Sequence, residues 1–165
     1  MKKLFLSLLL LIGVFMTSAC NNSLPLDKLG RRFNDNLDIR VADYEVILEY
    51  NDHGGFHNDG KATYGIKLKD DSVENQIKDN KNWKDLNINS DIKKIINGDN
   101  EGSSYFFDKD GKNLLPAVDN GYYLFKNTFV GQIDNYISYD RLPYNFIIGL
   151  FDTDNNVLYL CEFDS

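Results

Sequence analysis

Cysteine is almost missing. Two in 165 residues, Cys20 and Cys161, allow at most one disulfide, which excludes a small scaffold stapled by several bridges. Basic residues are also in deficit. Eighteen Lys and Arg stand against 25 Asp and Glu, a formal net charge of −7. A phosphate backbone needs a basic face, so nucleic acid is not expected as a partner. No internal repeat is visible, and beyond the N-terminus no apolar run is long enough to span a bilayer. No Gly-x-Ser-x-Gly elbow marks a catalytic serine. With 42% hydrophobic and 26% charged residues, the chain suits one globular domain with one sizeable core.

What is present begins with a leader. Lys2 and Lys3 form a short positive segment, and Leu4 to Met16 is apolar apart from Ser7 and Gly13. The small residues Thr17-Ser18-Ala19 then precede Cys20. This is the order of a secretory signal, too short and wrongly flanked for a spanning helix. Small residues followed at once by cysteine resemble the lipobox of bacterial lipoproteins, although Thr17 stands where Leu is commonest. The resemblance implies cleavage before Cys20, which would become the first mature residue and carry a thioether-linked diacylglycerol. Two acyl chains anchor stably where one does not. With Cys20 consumed, Cys161 has no disulfide partner, and its setting in Leu158–Phe163 reads as a buried position in a strand.

Residues 1–19 are therefore read as signal peptide, 20–41 as lipidated cysteine and tether, and 42–165 as a single extracellular domain. Arg31, Arg32 and Arg40 put three of the four arginines in the expected tether, where they could lie on anionic headgroups. Without Lys2 and Lys3 the chain has 16 basic and 25 acidic residues, a net −9. Such a domain gains nothing from an anionic surface and favours cationic ligands. Asp outnumbers Glu 20 to 5. This, with the wealth of Asn, Lys and Ile, suggests an AT-rich genome and a Gram-positive source.

In the domain, Tyr44, Val46, Leu48 and Tyr50 alternate with Glu45, Ile47 and Glu49, a strand with one buried face. Ala62, Tyr64, Ile66 and Leu68 alternate with lysines and Thr63, and the two segments predict a hairpin with a long loop. A helix capped at Asp71 or Ser72 is expected over 70–80. A second is expected from Ser90, as N-cap, to a stop at Asn97-Gly98. Strands follow around 105–107, 121–130, 144–152 and 157–163, with turns at Asp108–Gly111 and Asp152–Asn156. The class is α+β: mostly antiparallel sheet with two short helices, in one domain.

The least usual stretch is Asp52-His53-Gly54-Gly55-Phe56-His57-Asn58-Asp59-Gly60. It holds both histidines, flanked by Asp52 and Asp59. His53, His57 and Asp59 together could ligate zinc, but the paired glycines forbid the helix that would stack the rings, and a fourth ligand is missing locally. One histidine could serve as a general base oriented by an aspartate. A structured loop, with aspartates bonding backbone amides, explains the same residues. Asp108-x-Asp110-Gly111-x-Asn113 hints at a calcium loop but lacks the distant Glu, so a turn is the expectation. Tyr122 and Tyr123, with Tyr136, Tyr139 and Tyr144, offer rigid amphipathic contact area to a ligand, or to the protein's own core. No cofactor is expected.

The stretches His53–Gly60, Asn120-Gly121-Tyr122-Tyr123-Leu124-Phe125, and Tyr144-Asn145-Phe146 with Asp152-Thr153-Asp154 and Leu158-Tyr159 resemble uncharacterised surface lipoproteins of Gram-positive bacteria. That resemblance implies a shared fold and no activity. The overall plan, acidic, single-domain and lipid-tethered, is similar to lantibiotic self-immunity lipoproteins. It implies a membrane-anchored binding module on the extracellular face that intercepts a cationic antimicrobial peptide, and not an enzyme. Asp52, His53, His57, Asp59, Tyr122 and Tyr123 would supply ligand contacts. The alternatives are an envelope-acting enzyme or metal-binding protein using His53, His57 and Asp59, and an exclusion lipoprotein contacting another envelope protein.

Overall fold

A computed structural model describes residues 27–54, 59–98, 105–133 and 142–165. Cys20, His57, Tyr136 and Tyr139 lie outside them. The elements run in the order α1 (Lys28–Leu37), β1 (Tyr44–Asn51), β2 (Gly60–Leu68), α2 (Ser72–Asp79) and β3 (Lys84–Asp85). A 3-10 turn (Leu86–Ile88), α3 (Ser90–Asn97), β4 (Gly121–Asn127), β5 (Gln132–Ile133), β6 (Phe146–Asp152) and β7 (Val157–Asp164) follow. All strand pairs are antiparallel, in the order β1-β2-β7-β6-β4-β3, and β5 also pairs with β4. The expected class holds: one α+β domain, mostly strand, with three α-helices among the described residues.

The sheet is covered on both faces. Ala62, Tyr64, Ile66, Leu158, Leu160, Ile147, Phe151 and Leu124 point to one side and meet Phe33, Leu37, Ile39, Val41, Val73, Ile77 and Trp83. Tyr123, Phe125, Phe146, Ile148, Leu150, Tyr159 and Cys161 point to the other. They are covered there by Leu86, Ile92, Ile95, Ile96, Phe106, Leu115 and Val118. Strand β6 lies between and is buried along its whole length. A strand covered on both faces has no polar side, which is why it reads as a continuous apolar run and not an alternation.

The expected tether is corrected. Its second half is α1, and Phe33, Leu37, Ile39 and Val41 are in the core. Leu29, Phe33 and Leu37 fall four residues apart, so they share one helical face, and that face docks on the sheet. Asp27 caps the helix by accepting from the Gly30 amide at 2.6 Å and also accepts from the Tyr44 hydroxyl. Gly149 makes the docking possible: a Cβ there would lie 2.7 Å from Leu37 Cδ2 and 2.8 Å from the Trp83 ring. The domain thus includes α1 and the segment to Val41, ahead of the expected start near Ala42. Arg32 is spent inside the domain and not on headgroups, because it pairs with Glu162.

Three local expectations also shift. Helix α3 is capped by Asn89, whose side chain accepts from the Asp91 amide, one residue before Ser90. The alternation in β1 breaks at a bulge between Val46 and Leu48. The extra residue moves Leu48 to the face opposite Val46, so Leu48 packs on the second core while Val46 and Ile47 remain about half exposed, at 46% and 48%. Around 105–107 the structure has only an isolated bridge, Phe107 with Asn113. The turns hold as expected. Asp108 Oδ1 accepts from the amides of Asp110 and Lys112, and Asp152 Oδ1 from those of Asp154 and Asn155.

Candidate functional site

The His53 loop leaves the end of β1 and returns into β2. Backbone pairing closes it, with the Asp52 amide donating to the Lys61 carbonyl at 3.0 Å. The Asp52 carboxylate closes it a second time. Oδ1 accepts from the Lys61 amide at 2.7 Å and Oδ2 from the Tyr50 hydroxyl at 3.0 Å. Asp52 therefore works as a loop clamp. Gly60 seats the far side: with φ of 153°, it lies so close to His53 that a Cβ would meet His53 Cα at 2.7 Å. A side chain is excluded there by both backbone conformation and space.

His53 is held on both ring nitrogens. Nδ1 lies 3.0 Å from Asn51 Oδ1, and Nε2 lies 3.1 Å from Asp164 Oδ2. The Asn51 amide is oriented independently, because its oxygen also accepts from the His53 backbone N–H and its nitrogen donates to the Tyr64 hydroxyl. The ring thus ties the loop to the chain's last strand, and its side chain is only 9% exposed. Asp59 is exposed, and its carbonyl accepts from the Gly54 amide. His57 lies outside the described residues. Among the described residues no group of three or more His, Cys, Asp or Glu is placed to hold a metal.

Beside this loop, on the α1 face of the sheet, sits a polar cluster that sequence reasoning missed. Arg32 of α1 grips Glu162 of β7 with two hydrogen bonds, Nε to Oε1 at 2.9 Å and a shorter one to Oε2. Asn36, one turn on, donates to the same Glu162 Oε1 at 3.1 Å. The guanidinium lies 4.7 Å above the Tyr64 ring. The Glu162 carboxylate raises the pKa of Arg32 further, against the opposing pull of burial. Glu162 is nearly buried, and three donors from α1 satisfy it there, as a buried charge requires. The only advance signal was Glu162 in an otherwise apolar strand, and its partner lies 130 residues away.

The tyrosines divide. Tyr123 is buried at 3% exposure, so the expected ligand contact there is corrected: β4 lies inside the sheet, and its ring fills the second core. Tyr122 is half-buried against the first core. Burial pushes the pKa of Tyr159 up to about 12. Burial likewise pushes the Cys161 thiol up, and the residue has no exposed surface, as expected of a small core residue. Tyr44 is pushed up to about 12 by burial and by its bond to Asp27.

One other surface is distinctive. Strand β1 forms one edge of the sheet, and among the described residues no strand pairs with its outer side. It is eight residues long, whereas β3 and β5, which flank β4 at the other edge, have two each. The comparisons with known proteins add nothing: no family model, curated protein or solved structure matches this chain.

Proposed function

We propose that this chain is a lipid-anchored binding module on the extracellular face of a Gram-positive membrane, where it intercepts a cationic antimicrobial peptide of the lantibiotic kind. The observation that carries the reading is the pairing of the Cys20 leader with an acidic domain of net charge −9. The place of α1 in the core strengthens it. Six residues separate Cys20 from Asp27, a reach of at most ~25 Å. An anchored domain would work in the layer that a cationic pore-former must cross.

Capture by charge needs exposed carboxylates, and Glu45, Glu49, Asp52 and Asp59 are exposed at β1 and its loop. The His53 loop offers a fixed surface and not a free base. Both nitrogens of His53 and both oxygens of Asp52 are already engaged in holding the loop.

The test is a growth-inhibition titration. A sensitive Gram-positive host expresses the full chain or its Cys20→Ala variant and meets a panel of cationic peptides including lantibiotics. The expected result is a higher inhibitory dose for one peptide with the full chain and none with Cys20→Ala. High salt should weaken protection, because screening shortens the reach of the charges. Unchanged doses for every peptide would overturn the reading, and pull-down of a membrane protein would then favour an exclusion role.

A further inference from the structure

The outer edge of β1 combines three properties. Its backbone groups are unpaired among the described residues along an eight-residue strand. Its midpoint carries two half-exposed β-branched side chains, Val46 and Ile47. Glu45 and Glu49 flank that midpoint, are exposed, and form no ion pair among the described residues. The nearby lysines are engaged elsewhere: Lys69 with Asp43 at 2.6 Å, and Lys67 with the Asn155 carbonyl.

An open strand edge invites any extended chain, so its side chains decide which one. A second copy of this protein is disfavoured. Pairing two such edges would bring Glu45 and Glu49 of both copies, four carboxylates without an ion pair among the described residues, along one seam, and like charges across a strand pair destabilise it. The same two carboxylates, set on opposite faces of the sheet by the bulge, favour an incoming strand with a Lys or Arg on each face. The bulge at Val46–Leu48 turns one extra apolar residue, Ile47, out of the β2 register to meet it.

We infer that the outer edge of β1 is the docking strand for an extended cationic peptide, which adds to the sheet by main-chain hydrogen bonds and is selected by Glu45 and Glu49. This takes its biological sense from the proposed capture of a cationic peptide and names the place and mode of that capture.

The experiment uses the full chain in neutral detergent, with amide NMR and calorimetry. The probe is an eight-residue peptide of Val with two Lys three residues apart, one on each face, compared with its Glu-Val counterpart and with the Lys-Val peptide N-methylated at every residue. The Lys-Val peptide is expected to bind, to shift amides of residues 44–51 and to slow their exchange. The Glu-Val peptide should not bind, and N-methylation should abolish binding, because it removes the donors along both edges. Glu45→Lys with Glu49→Lys should weaken Lys-Val binding about tenfold or more and admit the Glu-Val peptide. Glu45→Gln with Glu49→Gln serves as the milder variant if the reversal perturbs the fold.

Equal binding of the N-methylated peptide, shifts confined to other surfaces such as Phe129 and Tyr144, or no binding of Lys-Val would each overturn the inference. The growth titration fails or succeeds independently. Protection with unchanged doses in the Glu45→Lys, Glu49→Lys variant would keep the capture reading and remove β1 from it.

Discussion

Phe33→Ala gives the sharpest test of whether α1 belongs to the domain. Phe33 has no exposed surface and packs in the core shared with Leu37, Ile39, Tyr64 and Leu160. Truncating a fully buried phenylalanine typically costs about 3–5 kcal/mol, from lost transfer energy and the cavity left behind. A domain of this size has only about 5–15 kcal/mol in total. With a urea dependence of about 2 kcal/mol per molar, the midpoint should fall by roughly 1.5–2.5 M, and the slope should not change. Arg31→Ala is the control on the exposed side of the same helix, where substitutions stay within about 0.5 kcal/mol. The assay is urea unfolding followed by Trp83 fluorescence, since Trp83 packs in the same core. If Phe33→Ala moves the midpoint no more than Arg31→Ala does, α1 is a tether and the docking described above is refuted.

Other outcomes follow from the same contacts. The Tyr44 hydroxyl and then the Gly30 amide hold the Asp27 carboxyl below its unfolded value of 3.8. Its contribution is therefore complete above that value and lost as the pH falls through the lower folded one. Amide exchange in α1 should accelerate in that acid range, and less so in Tyr44→Phe, while Asp27→Ala should cost about 1 kcal/mol at neutral pH. Cys161 should resist a thiol reagent such as Ellman's reagent in the native chain and react fully in urea, because burial raises its pKa and blocks access. Glu162→Ala should cost about 1–3 kcal/mol by urea unfolding, because it strips Arg32 and Asn36 of their shared acceptor. Glu162→Ala combined with Arg32→Met should recover part of that loss, since the second change removes the stranded charge.

Much of the fold is legible residue by residue. The alternation of Ala62, Tyr64, Ile66 and Leu68 specifies β2, because a strand's side-chain period is two. Asp152 to Asn156 specifies the β6–β7 turn through Asp152, whose carboxylate bonds the amides that follow it. The Gly98 stop of α3 and the buried place of Cys161 are local in the same sense. Helix α1 was less legible. Leu29, Phe33 and Leu37 do mark one helical face, and Asp27 does mark a cap, but they sit among Arg, Asn and Asp in a stretch that reads as polar. What makes them core is the groove over Gly149 and Trp83, supplied by chain more than 40 residues away.

The candidate site divides along the same line. The sequence by itself determined a loop rich in Gly, His and Asp between two strands, an apolar run ahead of Cys20, and an excess of negative charge. Tertiary structure decided that His53 bonds Asp164, that Glu162 receives Arg32, that Tyr123 turns inward, and that β1 is left as an edge. Turn chemistry and side-chain periodicity act over two to four residues, so the order of residues carries them. Whether a polar side chain is spent on the fold or left for a ligand depends on which distant strand or helix arrives beside it, and only packing settles that.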